Sequence, residues 1–372
     1  MCVLGDPVYK SMYRLSQGEI EFLGVEDFLK NYIALETKFE YPADVKYPCI
    51  PQNVDDTTTI YPRSGKSVIT GFEYLEAKNR GCRFWDTEAY IIPYRISGKK
   101  VTGKRFEDML KEGNEKCIDY QENAPFLEIE KEIQRERRKY PKGTFENMFE
   151  KLKGNAGYGL VCQGLSSKRK YDIKSKGMVV MSGGEISNPV IASSITGFIR
   201  SVISETLNNI EYLGGRVLSV TTDGFITDIE NLEDKLLNLD YKKIMLLKYY
   251  RVLRSILSGD PSAYELKHVE KEGLLSWCTR GQVGNTDRGI LAATGFQARG
   301  YTRKEIYRDF KEIMKEKRAI EFVQTSLRGA KDVYEKGGHV TMSYRDQSYR
   351  LVYDNKRKVL TSPGSKLLDT EP

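Results

Sequence analysis

Residues 188–227 constrain the fold more than any other stretch of this chain. Asn188-Pro189 opens a helix by two rules at once: asparagine is a favoured N-cap, and proline suits the first turn, where its missing N–H would be unpaired anyway. Ile191, Ile195, Phe198, Ile199, Val202 and Ile203 then recur at helical spacing, so most of this helix is expected in the core. Gly214-Gly215 ends it. Residues 216–222 read as a buried strand, Thr222-Asp223-Gly224 as a tight turn and 225–227 as a returning strand. A long buried helix feeding a short β-hairpin requires a core of mixed α and β character. An aspartate at a hairpin tip ordinarily serves only the turn, through its bond to nearby backbone.

The 372 residues are 40% hydrophobic and 30% charged, enough for two or three domains' worth of core and too apolar for a mostly disordered chain. No continuous apolar run approaches the roughly 18 residues of a membrane span. Residues 1–10 lack the charged and apolar regions of a signal peptide. A cytoplasmic protein without a membrane partner is therefore expected. Cys2, Cys49, Cys82, Cys117, Cys162 and Cys278 form no C-x-x-C pair, which points away from zinc ribbons and disulfide frameworks. With His268 and His339 the only histidines, any chemistry must rest on carboxylates, lysines or backbone groups. The net charge of +7 gathers in 99–105, 131–139, 168–176 and 356–358. The 24 tyrosines add rings on which bases can stack. That combination suits a polyanionic partner, although solvated loops and helix faces produce the same pattern.

Elsewhere, Val3 and Leu4 read as the end of a short apolar strand running into Gly5-Asp6-Pro7. Residues 40–65 are turn-rich, through Tyr41-Pro42, Tyr47-Pro48 and Tyr61-Pro62. Residues 131–140 are charged and helical, and Pro141-Lys142-Gly143 breaks them. Thr144 caps a further helix with an apolar face of Phe145, Met148, Phe149 and Leu152. Beside that face Lys151, Asn155 and Tyr158 share a stripe at i, i+4 and i+7. Gly154, Gly157 and Gly159 surround the stripe, each costing about 1 kcal/mol in a helix unless something must come close. A lysine, an amide and an aromatic on one line, with bare backbone beside them, suit a nucleotide; a frayed helix end with a solvated lysine fits the same spacing. Residues 304–315 form an amphipathic helix on Ile306, Phe310 and Ile313, and 340–360 alternate like one or two hairpins.

In order and spacing, these pieces resemble the polymerase region of family B DNA polymerases, from residue 6 to about residue 230. Lys151-Leu-Lys-Gly-Asn155-Ala-Gly-Tyr158-Gly159 is similar to the family's K-x-x-x-N-S-x-Y-G on the second fingers helix. Ser11-Met12-Tyr13 is similar to the S-L-Y of the first palm motif, and Thr221-Thr222-Asp223-Gly224 to D-T-D-S. Asn188-Pro189, Ile195-Thr196 and Arg200 follow the family's N-P…I-T…R helix. Tyr61-Pro62-Arg63-Ser64-Gly65, Phe72-Glu73 and Gly81 resemble the segment between the first motif and the fingers.

The resemblance implies an α+β fold of right-hand architecture, with an antiparallel palm sheet, two-helix fingers and a small thumb. Residues 1–125 would hold the first palm motif and inserted segments, and 126–160 the fingers helices. Residues 161–265 would form the palm with its second catalytic hairpin, and 266–372 the thumb and C-terminal strands. The implied activity is template-directed DNA polymerisation, nucleotidyl transfer from dNTPs to a primer 3′ end. Two Mg²⁺ ions, or Mn²⁺ in their place, serve such a reaction by clamping the attacking and leaving oxygens. By the same resemblance Asp6 and Asp223 are catalytic metal ligands, and Lys139 and Lys151 hold the triphosphate. Asn155 and Tyr158 line the base-pair pocket, and Tyr13 lies under the sugar and excludes a 2′-OH. Gly159, Arg200 and Arg280 contact DNA. Primer–template DNA and dNTPs are the expected partners.

Departures accompany the match. Three residues before Ser11, where the family has a metal-binding aspartate, stands Val8; Asp6 serves only if the intervening turn carries a two-residue insertion. Thr221 replaces the first aspartate of the third motif, and Ala156-Gly157 stands for Ser-Leu in the second. Arg280-Gly281-Gln282 is a loose counterpart of the thumb's K-x-Y. The chain opens at the first palm motif without the family's exonuclease region, so a second polypeptide or preceding segment supplying that part is expected. Protein-primed phage and plasmid members are the preferred neighbours. A catalytically degenerate polymerase-fold subunit, binding DNA or organising a replication complex, is the alternative these departures leave. A plain basic nucleic-acid-binding module explains the charge but not the ordered motifs.

Overall fold

The computed structural model describes residues 4–55, 58–94, 101–118, 124–164, 169–180, 183–287, 289–293, 296, 301–316, 319–327, 333–335, 337–351, 358–360 and 369–371. Their structure is mixed α+β, and the named strands pair antiparallel. They fall into two compact units. The first holds the described residues of 1–216 and 228–264 together with Glu371; the second holds those of 217–227 and 265–370.

The first unit is built on four strands, β1 (Tyr13–Ser16), β2 (Asn31–Glu40), β3 (Ser64–Thr70) and β4 (Arg83–Pro93), in the order β1-β4-β2-β3. Along β2, Ile33, Leu35, Thr37 and Phe39 are buried while Ala34 and Glu36 are exposed, the two-residue alternation of a sheet with one covered face. The helices of this unit include α1 (Gly71–Asn79), α2 (Leu127–Arg138), α3 (Phe145–Val161), α4 (Pro189–Tyr212) and α5 (Met245–Ser258). A further hairpin joins β5 (Arg169–Asp172) to β6 (Gly177–Val180).

Helix α4 forms where its sequence signals place it. The Asn188 side chain accepts from the N–H groups of Val190 and Ile191, each at 3.1 Å. Ile191, Phe198 and Val202 are buried, and Phe198 packs on Phe72 at 4.8 Å and Tyr249 at 5.6 Å between ring centres. Buried Glu205 turns toward the start of α5, where its carboxylate accepts from the N–H groups of Leu246 and Leu247 at 3.0 and 2.8 Å. That satisfies two of the donors every helix leaves unpaired at its first turn. By length and composition α4 is also apolar enough to cross a membrane, contrary to the expectation of no such segment, and 61% of its most apolar window is buried within the protein. Scattered serines and threonines break any continuous apolar run while leaving the mean hydropathy high.

The second unit contains the hairpin β7 (Val217–Val220) and β8 (Phe225–Thr227), then β9 (Leu274–Cys278), β10 (Gly281–Gly284) and β11 (Leu291–Ala293) as a three-stranded sheet. Helix α6 (Arg303–Glu316) buries Ile306, Phe310 and Ile313 against Trp277 and Val283, as its spacing predicts. One expectation is corrected here: among the described residues β13 (Met342–Tyr349) pairs with the earlier β12 (Ile320–Leu327), because alternation marks a strand without naming its partner. The 217–227 hairpin groups with the later residues, and the described residues of 126–160 lie in the first unit. Helix α2 is tied to α5, where Arg138 Nη2 donates to the Ser258 carbonyl at 2.7 Å.

A candidate nucleotide and nucleic-acid site

Helix α3 carries the stripe, and its surroundings differ from the sequence expectation. Thr144 caps it, the side chain accepting from Asn147 N–H at 3.4 Å. Asn147 in turn donates through Nδ2 to the carbonyls of Arg137 and Tyr140, at 3.0 and 3.1 Å, and so closes the end of α2. The buried positions of α3 are Asn147, Glu150 and Val161, and a Cβ on Gly154 or Gly157 would meet the Glu130 carboxylate at 3.6–3.7 Å. These five positions form one seam at helical spacing. The predicted apolar face is therefore not the packed one: Phe145, Met148, Phe149 and Leu152 are all more than half exposed. Helix α2 explains this, since only Leu127 and Ile133 of its charged sequence are buried and it has little apolar surface to offer.

Lys151, Asn155 and Tyr158 lie roughly a quarter turn round the helix from that seam. Lys151 and Asn155 are exposed and have no hydrogen-bond or ion-pair partner among the described residues. The neighbouring Lys153 is unlike them, paired with Glu150 at 2.8 Å and set over the Phe149 ring. Tyr158 is 41% exposed, and burial, aided by a hydrogen bond with Cys162, pushes its hydroxyl up to about 12, with the Arg200 charge opposing. Of the three glycines, Gly159 alone has open space where a Cβ would stand; Gly154 and Gly157 face α2.

The other predicted residues are placed as follows. Lys139 ends α2 and closes an ion pair with both oxygens of Glu136 at 2.7 Å, so its charge is already met. Tyr13 starts β1, opposite Ile91 of β4, and is half exposed. Asp6 lies in a loop: Leu4 is in a bend, Pro7 makes a lone bridge to Tyr94, and Val3 of the expected strand end lies outside the described residues. A 3₁₀ turn, Tyr9–Ser11, separates Asp6 from β1. Within that turn Tyr9 donates to Asn188 Oδ1 at 2.8 Å, linking the Asp6 loop to the start of α4. Arg200 of α4 reaches Glu73 of α1, with Nε and Nη2 at 2.9 and 2.7 Å from Oε1.

In the second unit, Asp223 sits exposed at the tip of the β7–β8 hairpin, with no partner among the described residues. The turn is held by Thr221, whose N–H and hydroxyl both donate to the Gly224 carbonyl, at 2.7 and 3.0 Å. An unpartnered aspartate is the hard oxygen donor that Mg²⁺ takes. Thr221 supplies no second charge. Arg280 is exposed in the turn between β9 and β10 and adopts a left-handed φ of 60°. Gln282 beside it is 4% exposed and donates to Ser219 Oγ at 2.8 Å, joining the aspartate hairpin to the strands that follow it. Asp6 and Asp223 belong to different units. Among the described residues no three His, Cys, Asp or Glu side chains gather to hold a metal.

Sequence reasoning attached no role to Tyr9, Glu73 or Gln282. Glu73 did carry a signal, a Thr-x-x-Glu box at the start of α1, but that signal speaks of helix capping only.

Over 245 residues, 66% of its length, the chain is 28% identical to a protein of Escherichia coli described as the primer-independent DNA polymerase PolB. The match covers 25% of that relative, so the chain spans about a quarter of it. No family model matches, and no solved structure matches. The chain is a distant relative of a PolB DNA polymerase.

Proposed function

We propose that the chain carries the fingers, with parts of the palm and thumb, of a right-handed template-directed DNA polymerase. The α3 stripe carries this reading: Lys151 and Asn155 stand exposed and unpartnered in the K-x-x-x-N-x-x-Y-G spacing, on a chain distantly related to a DNA polymerase. An ion-paired lysine, like Lys139, must break a contact to reach a triphosphate, whereas Lys151 need not. Lys151 receives the triphosphate of a dNTP, and Asn155 and Tyr158 face the nascent base pair. Tyr13 bounds the sugar, and Gly159 and Arg280 lie along primer–template DNA. Asp223 is assigned to Mg²⁺, as is Asp6, each as an oxygen donor within its own unit. The ion would supply charge neutralisation for the phosphates. The relative's description makes synthesis without a primer a property to assay alongside extension.

Thr221, which stands where a second carboxylate belongs and spends its hydroxyl on Gly224, favours the alternative of a non-catalytic DNA-binding subunit. Primer extension with dNTPs and Mg²⁺ separates the two. Asp223→Ala should lower extension by orders of magnitude while leaving DNA affinity near wild type. Undiminished extension by that variant removes Asp223 from the reaction. Absence of extension by the parent, with DNA binding intact, favours the subunit.

A further inference from the structure

We infer that Glu73 is a positioning residue for Arg200, and that Arg200 so held takes a backbone phosphate of the template strand. The identity of that phosphate rests on the polymerase reading; the positioning does not. Glu73 is 1% exposed, and both its oxygens are engaged. Oε1 accepts from Arg200, and Oε2 accepts from Thr70 N–H at 2.8 Å and the Thr70 hydroxyl at 2.9 Å. The carboxylate is thus fixed by the cap of its own helix before it fixes the guanidinium. Gly197, one turn before Arg200 on α4, permits the approach. A Cβ there would overlap the Thr70 side chain, with Cγ2 at 2.7 Å.

An arginine serving only as a counter-charge would be covered. Arg200 keeps 29% of its side chain exposed and emerges near Tyr61 and Tyr158, which are 39% and 41% exposed. Its charge opposes the rise that burial imposes on both phenols. Holding the Nε edge on Glu73 leaves the other edge of a planar, five-donor group free to fork onto a phosphate. Tyr158 lies seven residues beyond Lys151, about 10 Å along the helix. A nucleotide with its triphosphate at Lys151 directs its base toward Tyr158. The anion within reach of Arg200 is then the backbone of the strand that pairs with that base, rather than the triphosphate.

The test is the affinity of the full chain for a primer–template duplex, by fluorescence anisotropy, from about 50 to 300 mM salt. Glu73→Gln deletes a negative charge, so overall charge alone would tighten binding. Positioning predicts the reverse: Kd rises about 3- to 10-fold, and the slope of log affinity against log salt shrinks by about one contact. Arg200→Gln should give the same loss, and the double variant no more than either. Wild-type or tighter binding by folded Glu73→Gln overturns the inference. Should Glu73→Gln not fold, Arg200→Lys decides, since it keeps the charge and loses the fork: the same loss supports positioning, and unchanged binding overturns it. A raised KM for dNTP with unchanged DNA affinity overturns the assignment to a template phosphate. A wild type that extends no primer yet shows the predicted change of slope removes the polymerase reading and leaves the Glu73–Arg200 pair standing.

Discussion

Helices α3 and α4 both carry apolar residues at helical spacing, and they use them oppositely. In α4 the pattern marks the core: Ile191, Phe198 and Val202 are buried. In α3, Phe145 is 77% and Leu152 61% exposed, while Asn147, Glu150, Gly154, Gly157 and Val161 make the packed seam. The difference lies in the neighbours. Helix α4 meets Phe72 of α1 and Tyr249 of α5, and apolar surface removed from water stabilises by roughly 25 cal/mol per Å². Helix α3 meets a charged α2, and what holds it there is hydrogen bonding from Asn147 to the end of that helix. Periodicity shows that a helix has a face. It does not show which face finds a partner.

The comparison breaks most directly at matched aromatics. Phe198→Ala should cost the first unit about 3–5 kcal/mol through lost burial and a residual cavity. Phe149→Ala on α3 should move stability by no more than about 0.5 kcal/mol. Denaturant unfolding followed by circular dichroism measures both, and equal losses would mean that the α3 face is covered after all.

A second effect concerns the carboxylates buried under α4. Burial raises the Glu76 carboxyl to about 7 from its usual 4.5, with Arg80 opposing, and burial also raises buried Glu205 on α4. Folded protein holds the Glu76 proton more tightly than the unfolded chain does. The stabilisation is therefore complete below the unfolded value and is lost as pH climbs through the folded one. Between pH 5 and 8 the loss should approach about 3 kcal/mol. Glu76→Gln should flatten that dependence in unfolding measured at the two pH values. An unchanged profile would show that Glu76 is ionised in the fold.

Glycines sharpen the comparison further. Gly197→Ala on α4 forces a methyl into Thr70 and should cost about 1–3 kcal/mol. Gly154→Ala on α3 meets only ordinary contacts and should be neutral or stabilising by up to about 1 kcal/mol, by restricting the unfolded chain. A large loss at Gly154, read from thermal unfolding, would mean a tighter α2–α3 seam than contacts of 3.6–3.8 Å imply.

What was legible in the sequence was local. The Asn188-Pro189 start, the apolar face of α4, the hairpin around Asp223 and the Ile306–Phe310–Ile313 face of α6 each follow from residues within a few turns of one another. The pairing of β13 with β12 was not legible, since strand alternation carries no information about partners. Nor was the contact of Arg200 with Glu73, residues 127 apart in the chain, whose only local trace is a capping box. Lys139 could have been anticipated: Glu136 stands three residues before it on the same helix face, the spacing at which opposite charges meet. For the stripe, spacing placed Lys151, Asn155 and Tyr158 on one line, but their availability depends on which face α3 buries, and that is decided by α2.

One further effect bears most on the account. The central claim is that the exposed line on α3 is a nucleotide site, and the steady-state KM for dNTP in template-directed primer extension by Lys151→Ala tests it. Losing a charge-assisted contact to a triphosphate should raise KM about tenfold or more, equivalent to about 1.4 kcal/mol, with the unfolding midpoint and DNA affinity unchanged. An unaltered KM, or a change confined to stability, would return Lys151 to the role of a solvated lysine and leave α3 without a nucleotide.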